Sequence, residues 1–512
     1  MEEEVGTVAK RYSQLESERD TFLERGREAA KLTIPTLMPE EGHSSSSVYA
    51  TPYQGIGARG VNNLASKLLL ALLPPNSPFF RLTIDDFDLQ EIAGENRGQV
   101  EEGLARIERA AMSEIEAKAI RVPTFEALKL LIVTGNALVY LPKEGGMKVF
   151  RPDRYVTKRD TMGNLLEVIT KESLDALMLP DSIKEAVPYS ESPKKSYDLY
   201  TCVKRNEKGF RVHQEVMGIV VPESEGTFKK DNNPFIPLRF IRIDGEDYGR
   251  GFIEEYLGDL RSLEALTQAI VQGSAASAKV LFLVRPNGTT KSVNLAKAPN
   301  GAFLTGDAND VSTLQVQKAS DFRVALETMR MINDRLSAAF LLNSSVQRSA
   351  ERVTAEEVRF MAQELETALG GVYSILSQEF QLPLINILLE SLVKQGKMPR
   401  LPKESIRPTV VTGIEALGRG QDLNKLATFL QYLQPLGQEV IASEMNISDY
   451  IDRLAASLGI DTSGLIKSPE QKQQEQMQAQ QMQQQQMLEQ TAAGMAQGAA
   501  PQLAKGAVES EG

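Results

Sequence analysis

The chain has 512 residues, 42% hydrophobic and 24% charged, which is enough to bury several cores, and we expect two to four domains. Its formal charge of −11 argues against a monomer that grips nucleic acid over a broad basic face. One cysteine, Cys202, cannot form an internal disulfide, and two histidines leave little material for histidine-based zinc sites or Ser-His-Asp catalysis.

The N-terminal sequence MEEEVGTVAK has neither the basic start nor the apolar core of a signal peptide. The longest apolar stretches, such as residues 68–73, are far shorter than the roughly 20 residues that span a bilayer. We therefore expect a protein that is cytosolic when made and has no membrane partner.

The N-terminal half is predicted to contain helices followed by a mixed region. Residues 1–30 are rich in charge and are typical of a solvated surface helix, and the apolar segment 61–73 is a helix that prolines end. Residues 85–118 form a charged helical region. Short β-branched runs then predict strands, at residues 138–141, 166–170, 216–221 and 238–243.

Two apolar stripes at helical spacing follow. The first includes Phe252, Leu260 and Ile270, and the second runs from Phe322 to Phe340. Between them, residues 279–316 contain several Pro and Gly and predict a small β-containing insert. We predict an antiparallel helical pair with the insert at its tip, and we call this pair the stalk.

A polar loop over residues 344–353 precedes a capping box, Thr354 with Glu357, that starts a third helix. Gly370 and Gly371 loosen that helix before Pro383, and a kink is expected there. Further helices are predicted at 422–436 and 447–458. The glutamine-rich residues 468–512 are expected to be mostly disordered, with a frayed helix as the alternative.

The segment Gly55-Ile-Gly57-Ala-Arg-Gly60 matches the GxGxxG spacing of a dinucleotide-binding turn. No apolar strand precedes it, and Pro52 lies just before, so a close-packed entry into a helix is the favoured interpretation. The sequence contains no GxxxxGK[ST], so an ATPase is not supported.

Asp85, Asp86 and Asp88 could ligate Mg²⁺, but no convergent partner acids are recognisable nearby. We therefore expect no catalytic residue, cofactor or metal site in this chain. A nuclease is the enzyme alternative, and metal-dependent activity of the purified chain would reveal it.

Basic residues are concentrated in and around the insert, where seven bases face four acids between residues 279 and 330. The candidate basic residues of the insert are Lys279, Arg285, Lys291 and Lys297. Surface solubility or ion pairing between subunits is the ordinary explanation. In the polar loop, Arg348 and Arg352 with Gln347 are candidates for brief phosphate contacts, the alternative being ion pairs between subunits with Glu351 and neighbouring acids.

Three long blocks carry a resemblance to a known family. They are TPYQGIGARGVNNLASKLLLALLPPNSPFFRL (51–82), DGEDYGRGFIEEYLGDLRSLEALTQAI (244–270) and NSSVQRSAERVTAEEVRFMAQELETALGGVYSILSQEFQLPL (343–384). These closely resemble portal proteins, or head-to-tail connectors, of T7-like podoviruses. The similarity extends to about residue 464 and leaves out the glutamine-rich end.

The resemblance implies a predominantly helical α+β portal fold assembled as a dodecameric ring at one capsid vertex. It divides the chain into a wing (1–245), a first stem helix (246–278), a clip (279–316) and a second stem helix (317–343). A tunnel loop (344–355), a kinked helix returning to the wing (356–420), a helical crown (421–467) and a tail (468–512) complete it.

Function and partners are also implied by this resemblance. The ring would pass double-stranded DNA without sequence specificity during packaging and ejection, and would join the tail to the head. Its expected partners are other copies of itself, the terminase large subunit, a tail adaptor, the major capsid and scaffolding proteins and internal core proteins. We expect it in the virion and, during assembly, in the host cytoplasm; a tail or adaptor ring without a packaging role is the alternative.

Overall fold

The structure is a computed structural model that describes residues 7–44, 46–75, 78–83, 97–179, 181–186, 196–277, 281–314, 319–342, 355–397, 409–413, 419–437 and 443–458, and a few isolated positions from 441 to 482. Its chain divides into two compact units. The first comprises Met1–Gly94 and Gly103–Gln421, and the second comprises Glu95–Glu102 and Asp422–Gly512. No described helix is both long enough and apolar enough to cross a membrane.

Helices and strands are mixed along the chain. The α-helices are α1 Val8–Lys31, α2 Ile56–Leu72, α3 Arg97–Ala117, α4 Arg121–Thr134, α5 Asp181–Ala186, α6 Phe252–Glu255, α7 Leu257–Ser277, α8 Ser292–Lys297, α9 Ala319–Ala339, α10 Ala355–Ala368, α11 Val372–Leu376, α12 Leu382–Lys394, α13 Arg419–Leu433 and α14 Ile447–Leu458. The strands are β1 Phe80–Thr83, β2 Asn136–Tyr140, β3 Lys148–Phe150, β4 Tyr155–Arg159, β5 Leu165–Asp175, β6 Ser196–Asn206, β7 Gly209–Val216, β8 Ile219–Val220, β9 Gly226–Lys229, β10 Phe235–Arg239, β11 Leu281–Val284, β12 Val311–Leu314 and β13 Thr409–Thr412.

The described strands form four antiparallel sheets. The largest has the order β4-β5-β6-β7-β8, with β9 also paired to β7, and a second has the order β10-β2-β3. Side chains of both sheets share one core that includes Leu138, Tyr155 and Tyr248. Strand β1 pairs with β13, so residues 409–412 lie beside residues 80–83 although more than 300 residues separate them in the sequence.

Helix α1 is not merely solvated, because one of its faces is buried. Tyr12 and Leu15 pack against strand residues of the large sheet. The side chain of Arg19 is buried and donates hydrogen bonds to the carbonyls of Pro152 (3.1 Å) and Tyr155 (2.9 Å). Arg19 is therefore buried by residues more than 130 positions later in the chain, although the charge pattern of residues 1–30 predicted a solvated helix.

Several predicted boundaries differ from the structure. Residues 138–140 lie in β2, which ends before Leu141, and 166–170 lie in β5, whereas 216–221 contains a turn between β7 and β8. Only the start of 238–243 is strand, because β10 ends at Arg239. The apolar stripe that starts at Phe252 covers two helices, because α6 ends at Glu255 and α7 begins at Leu257.

The expected kink in the third helix is a full break. Helix α10 ends at Ala368, and Gly370 and Gly371 adopt φ values of +59° and +88°, which L side chains rarely adopt. The chain then continues through α11 and a π-helical segment, Ser377–Gln381, into α12. Pro383 lies in the first turn of α12 and has no N–H to donate to the π-helical turn before it.

The two helices predicted after residue 421 are present in the second unit as α13 and α14, with a 3₁₀ turn closing α13. The Tyr450 hydroxyl donates a hydrogen bond of 3.3 Å to the carbonyl of Leu426, which joins them. Nearly all of the glutamine-rich segment 468–512 lies outside the described residues, so the expectation of disorder remains a prediction.

Candidate functional site

Helices α7 and α9 form the predicted antiparallel stalk. Their contacts follow opposite chain directions: Arg335 forms an ion pair with Asp259, Thr267 contacts the sulfur of Met329 at 3.6 Å, and Gly273 faces the ring of Phe322. The apolar stripes read from the sequence are the surfaces that meet in this pair.

The base of the stalk is fixed by aromatic packing. The ring of Phe340 lies 6.0 Å from that of Phe252 and 6.3 Å from that of Tyr256. The amide of Asn63 donates hydrogen bonds to the carbonyls of Phe340 (2.9 Å) and Leu341 (3.1 Å). Asn63 of α2 therefore caps the C-terminal end of the second stalk helix, α9, because the carbonyls at a helix end need donors from outside the helix.

The glycine motif at 55–60 is part of this base and not a nucleotide site. A Cβ atom on Gly57 would lie 2.5 Å from the Leu32 carbonyl oxygen, and one on Gly60 would lie 2.4 Å from the Phe340 ring. The carboxylate of Glu264 in α7 accepts hydrogen bonds from the backbone N–H groups of Tyr53 (2.9 Å) and Gln54 (3.1 Å). These glycines allow close helix packing, as the favoured interpretation predicted.

Burial decreases along the stalk away from its base. Leu260 and Leu336 are fully buried, whereas Val271 is 50% exposed, Val324 69% and Met331 60%. The helical pair therefore leaves apolar side chains uncovered by its own chain. Surfaces of this kind are typical of protein contacts.

A cavity of 470 Å³ lies between the loop before α2 and the stalk. It is lined by apolar and polar side chains of both stalk helices, among them Leu263, Met329, Arg330 and Asp334. Arg330 lies 3.9 Å from Glu327 across an exposed turn of α9. Exposed pairs of this kind add little stability.

The insert is a small β unit organised around Asp310. Strands β11 and β12 pair antiparallel, in the insert that was predicted to contain β structure. The carboxylate of Asp310 accepts hydrogen bonds from the Thr290 N–H and the Thr289 hydroxyl, both at 3.2 Å. These bonds, led by that of the Thr290 N–H, hold the pKa of Asp310 below its usual range. A Cβ atom on Gly288 would meet this carboxyl at 2.4 Å, so the turn closes tightly on it.

The insert presents basic and apolar side chains together. Arg285, Lys291 and Lys297 are exposed, and Lys279 lies outside the described residues. Phe282 is 63% exposed, and Phe303 is fully exposed in a segment between two glycines. The sequence reasoning selected the bases but missed the phenylalanines; their place in a Gly- and Pro-rich segment outside any apolar stripe was the available signal.

The remaining candidates from the sequence are not described. Gln347, Arg348 and Arg352 fall within residues 343–354, outside the described ranges, and Asp85, Asp86 and Asp88 do so as well. Helix α10 starts at Ala355, directly after the predicted cap Thr354, which is itself not described. Among the described residues, no group of three or more His, Cys, Asp or Glu side chains could hold a metal ion.

Comparison with known proteins places this architecture in a family. The family model of the bacteriophage head to tail connecting protein matches residues 5–466. The portal protein of Escherichia phage T7 is 46% identical over 90% of this chain and 88% of its own length, and that of Enterobacteria phage T3 has the same identity and coverage. The portal protein of Enterobacteria phage SP6 is 33% identical over 91% of both chains.

Solved structures give a weaker match. The neck and the virion of a native gene transfer agent particle cover 73% and 76% of this chain, at TM-scores of 0.31 and 0.32 and 12% identity.

The chain belongs to the family of bacteriophage head-to-tail connecting proteins. It is a portal-type connector, a virion component at the connection between head and tail. The alternative of an adaptor ring without a packaging role is not favoured by these relatives.

Proposed function

We propose that twelve copies of this chain form a closed ring at one capsid vertex, through which double-stranded DNA is packaged by a terminase and later ejected. The observation that carries the ring is the uncovered apolar surface of the stalk, at Val271, Val324 and Met331. A second copy placed by rotation would cover these side chains, and a rotation that closes yields a ring. Assembly in the host cytoplasm precedes incorporation into the virion.

The negative net charge of the chain favours a channel through which DNA passes, and disfavours a protein that binds DNA tightly. Each copy has a formal charge of −11, so a twelve-fold ring is strongly acidic. Every phosphate that a protein neutralises releases counterions and strengthens binding. An acidic wall avoids this binding and lets the duplex slide.

The proposed regions follow the family scheme of wing, stem, clip, crown and tail with the boundaries given above. The stalk is the stem, and the insert is the clip, where the terminase large subunit docks first and the tail adaptor later. The exposed aromatic side chains Phe282 and Phe303, beside Arg285, Lys291 and Lys297, suit an apolar partner surface rimmed by acids. Capsid, scaffolding and internal core proteins contact other surfaces.

Ring formation is tested with the purified full-length chain by light scattering and negative-stain electron microscopy. We expect closed rings with an axial hole for the wild type. Val324→Glu combined with Met331→Glu should yield smaller species, because two charges would be buried without partners at each subunit interface. The matched control is Val48→Glu, at a loop residue that is 95% exposed, and it should still form rings. A wild-type monomer at micromolar concentration would contradict the proposal.

We further propose that Arg348 and Arg352, with Gln347 beside them, face the channel and act on DNA in transit. One arginine per copy becomes a circle of positive charge in a ring, which attracts a duplex weakly within a Debye length of about 10 Å. Replacing both arginines with alanine should leave rings intact and change packaging yield or DNA retention. Normal packaging and retention would remove the DNA role, whereas loss of rings would favour ion pairs between subunits.

A further inference from the structure

Three arginines approach the turn between β4 and β5 in the first unit. Arg159 ends β4, Arg239 ends β10, and Arg242 follows three residues later. Gly163 lies in the turn, and a Cβ atom there would be 3.1 Å from Nη2 of Arg242 and 3.3 Å from Nη2 of Arg239. The ends of two guanidinium groups are therefore close to one point, which a side chain at position 163 would occupy.

Positive charge at this point exceeds the acids that balance it. The carboxylate of Glu379, placed by the π-helical segment, lies 2.9 Å from Arg239 and 3.6 Å from Arg242. It is the one described acid within ion-pair distance of both arginines.

The other acids of the neighbourhood are shared with other bases. Asp247 pairs with Lys158 at 2.9 Å, and Asp160 lies 3.6 Å from Arg205. Lys158 also pairs with Glu18 at 2.9 Å, so five bases face four acids in this group and one positive charge remains in excess.

Arg159 itself is satisfied by neutral groups. Its guanidinium donates hydrogen bonds to the carbonyls of Asp247 (3.2 Å), Gly163 (3.0 Å) and Pro237 (2.8 Å). Burial and the nearby Arg239 lower its pKa to about 10, which still leaves it charged at neutral pH. It therefore adds a fixed positive charge behind the other two.

Arg239 and Arg242 retain donor capacity. Arg239 is only 3% exposed, and its Nε–H has no hydrogen-bond partner in the described part of the chain. A buried donor on a charged group without an acceptor costs free energy. The side chain of Arg242 is 40% exposed, so the group can be reached from solvent.

We propose that Arg239 and Arg242 bind a phosphate-type oxyanion at the Gly163 turn. A tetrahedral anion with several oxygens can accept hydrogen bonds from two guanidinium forks at once. Its negative charge offsets the excess that Glu379 alone leaves. The anion is either inorganic phosphate or a phosphate of the DNA backbone, and ring formation is not required for it to bind.

The test is a calorimetric titration of the full-length chain with inorganic phosphate at constant ionic strength. Wild type should bind in a saturable manner. Arg242→Gln should weaken binding about tenfold or more, the usual effect of losing a charge-assisted hydrogen bond. Glu379→Gln should tighten it, because the competing carboxylate becomes neutral while its acceptor oxygen stays.

Arg211→Gln is the matched control, since Arg211 is an exposed arginine of β7 that pairs with Glu225 at 3.1 Å, and it should bind as wild type. An absence of saturable binding by wild type, or equal binding by Arg242→Gln, would overturn the proposal. In the second case phosphate would be an adventitious ion only.

A competing 20-base-pair duplex identifies the source of the anion. If it displaces phosphate from wild type, and the Arg242→Gln variant binds it more weakly, the site takes the DNA backbone. If phosphate binds and the duplex does not displace it, the free ion is the ligand. Either result supports the oxyanion site.

Discussion

Phe340 occupies the space that a side chain at position 60 would need, and this contact, with the Asn63 hydrogen bonds, positions α2 against the end of the stalk. Gly60→Ala places a methyl group against a ring with no exposed surface, so overpacking should cost about 1–3 kcal/mol. Gly258→Ala in α7 should instead stabilise by about 0.5–1 kcal/mol, because no atom lies within 4 Å and alanine favours helix. Urea unfolding of both variants measures the change in the free energy of unfolding, which should fall for Gly60→Ala and rise for Gly258→Ala. Equal changes in the two variants would contradict the packing argument.

Asp310 is a residue whose charge state controls the insert. Because its folded pKa lies below the usual value, its stabilising effect is complete above the unfolded pKa of about 3.9 and is lost as pH falls through the folded pKa. We expect amide exchange over residues 285–310, corrected for intrinsic rates, to accelerate as pH falls below about 4.

Asp310→Asn serves as the control for this pH dependence. It should exchange faster than wild type at neutral pH and show no pH step, because its amide does not titrate. A pH step that persists in this variant would assign the effect to another group.

At the scale of elements, the π-helical segment joins distant parts of the first unit. The side-chain amide of Gln381, with no exposed surface, donates to the Leu72 carbonyl at 2.7 Å, and its oxygen accepts from the Gly413 N–H at 3.3 Å. The end of α2 and the residue after β13 are thereby held to one side chain. π-helical turns are often retained where they place such a group.

Gln381→Met keeps the volume of the side chain and removes both hydrogen bonds. We expect a loss of about 1–3 kcal/mol for each backbone group left buried without a partner. Gln395→Met, on an exposed side chain at the end of α12, should change stability by about 0.5 kcal/mol or less. Thermal unfolding compares the two, and similar melting temperatures would refute a structural role for the π segment.

At the scale of the whole molecule, the family match ends at residue 466, just before the glutamine-rich end. Deletion of residues 468–512 should leave ring assembly intact, since a polar segment buries little apolar surface. Electron microscopy of the truncated chain measures this. Failure to form rings, with the fold retained by circular dichroism, would show that the tail belongs to the assembly.

Periodicity predicted the two stalk helices, because each packs one apolar stripe against the other. Pro and Gly residues marked the insert between them, and the residues before the glycine motif argued for a packed helix entry. The sequence patterns predicted individual strands but not the six-stranded sheet, because short β-branched runs do not reveal which strands pair.

The amino-acid sequence by itself determined the family and the two apolar stripes of the stalk. Only the tertiary structure decided that Arg19 is buried, that Gly370 and Gly371 break a helix, and that Arg239 and Arg242 share Glu379. The physical reason is separation along the chain. A helical stripe depends on residues three or four positions apart, whose relative placement the helix itself fixes. Glu379 and Arg239 are 140 residues apart, and at that separation their spacing in the sequence does not predict that they meet.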